Sequence, residues 1–425
     1  MVAIISFRRP VAEPIVITGI GLATSVGNSR EAVWQAVQRG RSGVRRLCGL
    51  RGIPDGLLLG ATVDLDQPVA GPRKVFPLSE IAAAEALRDA RVNLPTMDGD
   101  RFGCLISGHM CDNAWFHDQR DRADRGDDLP EPPSDPVFPS TACARVARRF
   151  GLSGPRVSYS TACASSLVSV LAAVRAIRDG QCDIALTGGA DAIDPLLAAG
   201  FHQMHVLADD DQPERACRPF DRNRRGFVLG EGAAMLVVER LSHARRRGAR
   251  IYAEIAGYSA IAEAHHVTGL DAESETLSYL IAQTLRRAGL KPAEIGYINA
   301  HGTGTQQNDL VEMRAIRRAF GPALDRVCVS ATKSMLGHMI HAAGGVELAI
   351  TVLAMRDGFA PPTLNLTDPD PELAFDCLPL VGRWRRFQHA LKLSVAFGGH
   401  LVGIALSRWN DLATGFAYPV SAVAA

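Results

Sequence analysis

Strand-length apolar runs alternate with helical runs along most of this chain, and the scheme occurs twice. "PIVITGIG", "RFGCLISG" and "DIALTGGAD" have the character of buried strands, with helical runs at Glu31 to Gln38 and Ser166 to Arg178 between them. "AAMLVVERL" and "RIYAEIAGYSA" read as a second strand pair joined by a short helical "SHARRRGA". A helix over 274–290 follows, then strand "IGYINAHG", helix "LVEMRAIRRAF", strand "RVCVSAT", helix "AAGGVELAITVLAMRDG", and closing strands "KLSVAFGG" and "LVGIALSRW". Continuous apolar strands spaced by helices imply an α/β fold with a largely parallel, buried sheet. Two halves are expected, 14–260 and 261–412, meeting near residues 255–270. Both use the device of strand, small-residue turn and helix, but their residue identity is too low to read a duplication from it.

A chain of 425 residues can build two packed halves or one large unit. Its 46 Lys and Arg against 45 Asp and Glu give no bulk-charge reason for nucleic acid or a membrane, so an acidic partner needs a local basic patch. Nine cysteines, an odd number with no C-x-x-C pair, indicate neither a zinc site nor a disulfide framework and fit reduced thiols. The start, "MVAIISFRRPVAEP", reads as a loose lead rather than a signal peptide, and no run approaches the ~18 apolar residues of a membrane span. The charged, Pro-rich segment 117–136 reads as an exposed loop, and the tail after Trp409 shows no clear periodicity.

One turn concentrates the chemistry. "SYSTACASS" (158–166) sets Cys163 where a strand hands over to a helix. A buried cysteine is most often a small hydrophobe. A helix N-terminus, however, lowers a thiol's pKa and offers free backbone N–H groups to an anion. A nucleophilic thiol needs a partner, commonly histidine. Of the twelve histidines, His265 and His266 read as loop residues and His243 as part of a basic helical surface. His301 in "NAHGTGT" (299–305) ends a strand, where α/β sheets present ligand-facing groups. His338 in "KSMLGHMIHAAGG" (333–345) follows Lys333 and Gly337 before another small-residue helix start. A single strand-end histidine is more often structural; two in glycine-flanked turns make Cys163, His301 and His338 a candidate constellation.

"STACASS", "NAHGTGT" and "KSMLGH", in this order and joined by "RPFDRNRRGFVLGEGA" (218–233) and "FGGH" (397–400), resemble the β-ketoacyl synthases of the decarboxylating elongation type. The resemblance covers roughly residues 14–409. It implies a thiolase fold, two similar α/β halves in a five-layered αβαβα arrangement, usually in a homodimer or heterodimer. Cys163 would then accept an acyl chain from a carrier-protein thioester, its thiolate favoured by the helix N-terminus rather than by a tight Cys–His proton transfer. Backbone N–H groups of Cys163 and Phe397 would form the oxyanion hole, while His301 and His338 hold a malonyl thioester and stabilise the enolate left by CO₂. Lys333 paired with Glu347 would organise the site, Asp309 and Glu312 would support the His301 loop, and Thr303 and Thr305 would hydrogen-bond the pantetheine arm. The resemblance implies no metal and no cofactor of the chain's own, since the carrier protein brings the phosphopantetheine. It implies a cytoplasmic enzyme with two kinds of partner, an acyl carrier protein and a second ketosynthase-like or chain-length-factor subunit, and neither nucleic acid nor membrane. Arg73, Lys74, Arg145, Arg148 and Arg149 are the candidate carrier-docking residues.

The chain also departs from the family's pattern. Leu393 and Leu401 stand where the closing run carries amides, and Val395 with Ala396 replaces an aromatic–glycine pair, while Phe397 is kept. His109 in "SGHMCD" stands where a fatty-acid enzyme has an apolar residue, so it turns to a structural partner or meets a polar or conjugated acyl chain. That opens a polyketide or polyene role beside fatty acid synthesis. A non-elongating chain-length-factor-like subunit, a thiolase or priming synthase, and a scaffold with a relic site are the competing readings; retention of all three site residues in these motifs speaks against them.

Overall fold

The computed structural model describes residues 13–66, 69, 71–129 and 137–410. The lead at 1–12, the segment 130–136 and the tail from 411 lie outside the described residues.

Five strands belong to the first half: β1 (Ile15–Thr24), β2 (Phe102–Ser107), β3 (Arg156–Val157), β4 (Ile184–Asp191) and β5 (Gly232–Arg240). Five belong to the second: β6 (Ala253–Ala262), β7 (Ile295–Asn299), β8 (Cys328–Ser330), β9 (His389–Ala396) and β10 (His400–Arg408). The spatial order β3-β2-β4-β5-β1 of the first set is the same permutation as β8-β7-β9-β10-β6 of the second. In each set the three outer strands run parallel and the remaining pairs antiparallel. The repeat that residue identity conceals is therefore visible in topology. The sets meet through a short seam, Val16 opposite Glu254 and Ile17 opposite Ala253. The boundary placed at 260/261 falls inside β6.

The sheet is thus mixed rather than largely parallel. Continuous apolar strands report burial on both faces, not direction. Direction is set by the connections: β9 and β10 are joined only by Phe397–Gly398–Gly399, with Ala396 opposite His400, a hairpin that forces antiparallel pairing. Gly398 and Gly399 take φ of +82° and +73° to close it. β5 and β6 do not pair with each other, because β1 lies between them.

The principal helices are α1 (Val75–Asp89), α2 (Asn113–Arg125), α3 (Thr141–Phe150), α4 (Ser165–Arg178), α5 (Glu275–Ala288), α6 (Gln306–Phe320) and α7 (Ile340–Asp357). α2 replaces part of the loop expected at 117–136. Its Asp112 cap accepts from the Trp115 N–H at 3.1 Å, and Asp118 pairs with Arg122 one turn on at 3.0 Å, so the charged run sustains a solvated helix. α1 and α3 cover the outer face of the first strand set, α5 and α6 that of the second, and α4 and α7 lie between the two. This is the five-layered arrangement that the resemblance implies.

The central layer positions the chemistry. α7 is buried on every side from Ile340 to Met355 and apolar there except at His341, Glu347 and Thr351. It crosses the start of α4 at two glycines. A Cβ on Gly344 would stand 2.6 Å from Leu167 Cγ, and one on Gly345 3.2 Å from Ser166 Cβ. The Gly345 N–H donates to Ser166 Oγ at 2.8 Å. Close approach here brings Cys163, two residues before α4, to His338, two residues before α7. Gly344→Val should therefore destabilise the fold by about 1–3 kcal/mol through overpacking, read from the urea midpoint; an unchanged midpoint would show slack at this crossing.

Candidate active site

Cys163 sits in a single 3₁₀ turn, Ala162–Ala164, that feeds α4. Ala162 just before it takes φ +47°, a left-handed conformation that costs a non-glycine residue and turns the thiol toward the second half. The Cys163 carbonyl accepts from Ser394 Oγ of β9 at 3.0 Å. Cys163 Sγ lies 2.9 Å from His338 Nε2, and the His301 and His338 rings stand edge to face at 5.4 Å.

The environment of each imidazole selects its tautomer. Lys333 Nζ lies 3.2 Å from His301 Nδ1 and donates to the His301 carbonyl at 2.5 Å and to Glu347 Oε1 at 2.6 Å. An ammonium only donates, so His301 Nδ1 accepts and its proton resides on Nε2. His338 Nδ1 is buried with no hydrogen-bond partner among the described residues. An orphaned acceptor costs less than an orphaned N–H, which places the His338 proton on Nε2, facing the sulfur. Burial, reinforced by the Lys333 charge, holds both imidazoles well below the ordinary histidine range. Both are neutral near pH 7, each with an Nε2–H donor.

The His301 loop hangs from two buried carboxylates of α6. Glu312 accepts the N–H groups of His301 and Gly302 at 2.6 and 2.7 Å, and Asp309 those of Thr303 and Phe220 at 3.0 and 2.8 Å. Burial pushes Glu312 up to about 7 against those two N–H bonds. A cavity of about 530 Å³, mouth included, opens over the site. Phe201, Phe227, Leu270, Ile340, Val395 and Phe397 supply its apolar wall, and Thr303, Thr305 and Asn308 its polar groups. Cys163, His301 and His338 hold their ligand atoms within 4.8 Å of one another, as do His109, Asp191 and His341. Either trio could bind a metal, yet Cys163 already contacts His338, and Asp191 already bonds both of its imidazoles.

Residues 77–244 match the family model of the β-ketoacyl synthase N-terminal domain, and residues 252–367 that of its C-terminal domain. The chain is 36% identical over 411 residues to a 3-oxoacyl-[acyl-carrier-protein] synthase 2 of Coxiella burnetii, covering 93% of this chain and 99% of that one. It is 35% identical over 418 residues to the tetracenomycin polyketide synthase ketoacyl synthase alpha subunit of Streptomyces glaucescens, covering 94% and 98%. The chain belongs to the β-ketoacyl synthase family. Solved relatives include a type II polyketide ketosynthase in complex with its acyl-carrier protein, at TM-score 0.86 and 30% identity over 94% of this chain and all of that one. The ishigamide ketosynthase/chain length factor matches at TM-score 0.78 and 30% identity, covering 94% and 100%. The five-layered fold is accordingly the thiolase fold.

Three expectations for this synthase need correction. Cys163 sits where the neutral thiol is favoured: burial pushes it up to about 12, against the Lys333 charge and its own backbone N–H, and His338 stands in close contact. His109 does not line the cavity. Its Nδ1 lies 2.6 Å from Asp191 and its Nε2 3.4 Å from Asp194, while Asp191 also holds His341 Nδ1 at 2.7 Å. Burial opposes the His109 imidazolium, but the two carboxylates outweigh it and raise the group to about 10. Lys74 is turned inward to Glu231 at 2.5 Å, and Arg145 and Arg149 share Glu80. Residues that the motifs did not single out are Asp191, His341, Ser394 and Lys392; a lysine within the apolar strand run "LKLSV" was the one legible signal.

Two outcomes follow from these charges. Iodoacetamide should alkylate Cys163 at a rate that climbs through pH 9, followed by mass spectrometry of its peptide; a plateau below pH 8 would contradict a neutral resting thiol. His109→Ile, which removes the cation shared by two buried carboxylates, should cost about 3–5 kcal/mol of stability at neutral pH. Because the folded His109 pKa is raised, its contribution is complete below the unfolded value of about 6.5 and is lost as pH rises through about 10. Urea titrations of both proteins from pH 6 to 10 should converge; a constant gap would refute the ion pairing.

Proposed function

We propose that this chain is a β-ketoacyl-[acyl-carrier-protein] synthase that extends an acyl chain by decarboxylative Claisen condensation. The observation that carries the reading is the contact of Cys163 with His338, beside His301, under one apolar cavity. Cys163 Sγ attacks the carbonyl of an acyl-carrier thioester. The C–S bond to the carrier breaks, the thiol proton passes to the departing carrier sulfur, and the acyl group stays on Cys163. Backbone N–H groups of Cys163 and Phe397 receive the oxyanion.

A malonyl-carrier thioester then places its carbonyl oxygen against the Nε2–H groups of His301 and His338. The C–C bond to the carboxylate breaks, CO₂ leaves, and the electron pair becomes an enolate whose oxygen the two donors stabilise. The enolate carbon attacks the acyl-Cys163 carbonyl, the C–S bond breaks, and the β-ketoacyl chain stays on the carrier while Cys163 leaves as a thiolate that takes up one proton from solvent to restore the thiol. Neutral donors suit this step, since an imidazolium would protonate the carbanion. Lys333 fixes the His301 tautomer while Thr303 and Thr305 line the pantetheine path. The chain needs no cofactor of its own in this reading.

The partners are an acyl carrier protein and a second ketosynthase-like subunit, a reading supported by the solved relatives that carry each. The enzyme acts in the cytoplasm on fatty acyl or polyketide chains; no helix of the described residues is long and apolar enough to cross a membrane. With malonyl- and acyl-loaded carrier protein, Cys163→Ala should abolish condensation, and retained elongation would refute the reading. His301→Ala should still form acyl-Cys163 by mass spectrometry but lose about 10²–10³ in condensation rate. Loss of acylation with decarboxylation intact would reverse the roles.

A further inference from the structure

Lys392 is a buried lysine with no part in the chemistry above. It lies within β9 between Leu391 and Leu393, at 0% exposure, opposite Asn299 at the end of β7. A lone ammonium at such a position would be strongly unfavourable, and this one has three partners. Its Nζ lies 2.6 Å from Glu347 Oε2, donates to the Ala300 carbonyl at 3.2 Å and reaches Asn299 Oδ1 at 3.5 Å. Glu347 Oε1 meanwhile holds Lys333 at 2.6 Å. One carboxylate therefore bridges two buried ammonium groups, and Asn299 and Ala300 are the residues that deliver His301.

We propose that Lys392 is a positioning residue of the synthase: it anchors the strand end that carries His301 and, with Lys333 on the same carboxylate, maintains a positive field behind both imidazoles that keeps them uncharged. The proposal rests on the reading of His301 and His338 as neutral donors. The charged groups facing Lys392 are Glu347 from α7, Lys333 from the turn before His338, and Glu312 from α6. Burial lowers the Lys392 ammonium to about 8, with Glu347 opposing, so it is charged at pH 7. Glu312, at about 7, supplies only part of a compensating charge. The surplus is positive, and its direction agrees with both imidazoles: burial depresses them first, then Lys333, with Lys392 adding to the effect, while at His338 the Asp191 carboxylate opposes it.

The test compares wild type, Lys392→Met, Lys392→Arg and the double variant Glu347→Gln/Lys392→Met, measuring condensation from pH 5 to 9 alongside acyl-Cys163 formation. Lys392→Met should move the acid limb of the condensation profile up by about one pH unit, because a lost cation eases imidazole protonation. Lys392→Arg should keep the wild-type limb. The double variant removes one charge of each sign, so its limb should return toward wild type even where its rate is low. A Lys392→Met enzyme that is slower but has the wild-type profile would overturn the proposal, as would a Lys392→Arg limb shifted as far as that of Lys392→Met. Should Lys392→Met fail to fold, the double variant decides, and a displaced limb there overturns it. Absence of condensation in wild type would instead overturn the ketosynthase reading.

Discussion

The site depends on how closely two central helices can cross. α4 and α7 come from different halves, and each begins two residues after a member of the Cys163–His338 pair. Leu167 and Ser166 press against Gly344 and Gly345 with no room for a Cβ at the first glycine. A side chain there would part the helices and carry sulfur and imidazole away from each other. The repeated topology makes the meeting possible: both strand sets enclose one central layer, so turns from both halves open on one cavity.

Around that contact the protein buries an unusual amount of charge. Lys333, Lys392, Glu347, Glu312 and Asp309 are all almost fully inaccessible. Burying such groups is costly, and each is retained only with partners close by. Here the partners are largely backbone: the carbonyls of Ala300 and His301 and the N–H groups of His301, Gly302 and Thr303. The ionic network thus restrains the His301 loop through its main chain and leaves the ring's Nε2 edge to the cavity. The same burial that fixes the loop keeps both imidazoles neutral and the thiol protonated. Under the proposed function the thiol proton then leaves with the carrier's sulfur, so no resting thiolate is required.

The parts legible in the sequence were those written in local pattern. Strand and helix alternation located the long strands and α4 to α7 but not α1, and the glycine-flanked turns singled out Cys163, His301 and His338. Strand direction was not legible, because apolar runs carry no sign of it; the three-residue Phe397–Gly399 connection sets it for β9 and β10. The helix Asn113–Arg125 hid in a charged run whose i,i+4 pairing resembles a solvated loop. Lys74, Arg145 and Arg149 read as a free basic face because Glu231 and Glu80 are distant in sequence. His109 is the same case: Asp191 and Asp194 lie more than eighty residues away along the chain.

The departures in the closing run separate once the fold is known. Leu393 and Leu401 sit in the core cluster outside the second strand set, where apolar side chains need no further explanation. Val395 belongs to the same cluster but, with Ala396, also lines the cavity. A valine and an alanine in place of an aromatic–glycine pair exchange a flat ring for smaller branched and methyl groups and reshape the wall beside Cys163. His109, by contrast, spends both ring nitrogens on carboxylates, leaving no free polar atom to read a conjugated or oxygenated chain. It lines a second, smaller cavity bordered by Phe201 and Ile340, which also face the first. Under the proposed function, selection among acyl chains therefore belongs to the apolar wall of Val395, Ala396, Phe201 and Ile340. The ion cluster beyond it serves to hold Asp191 against the start of α7, where the His341 N–H donates to that carboxylate at 2.9 Å.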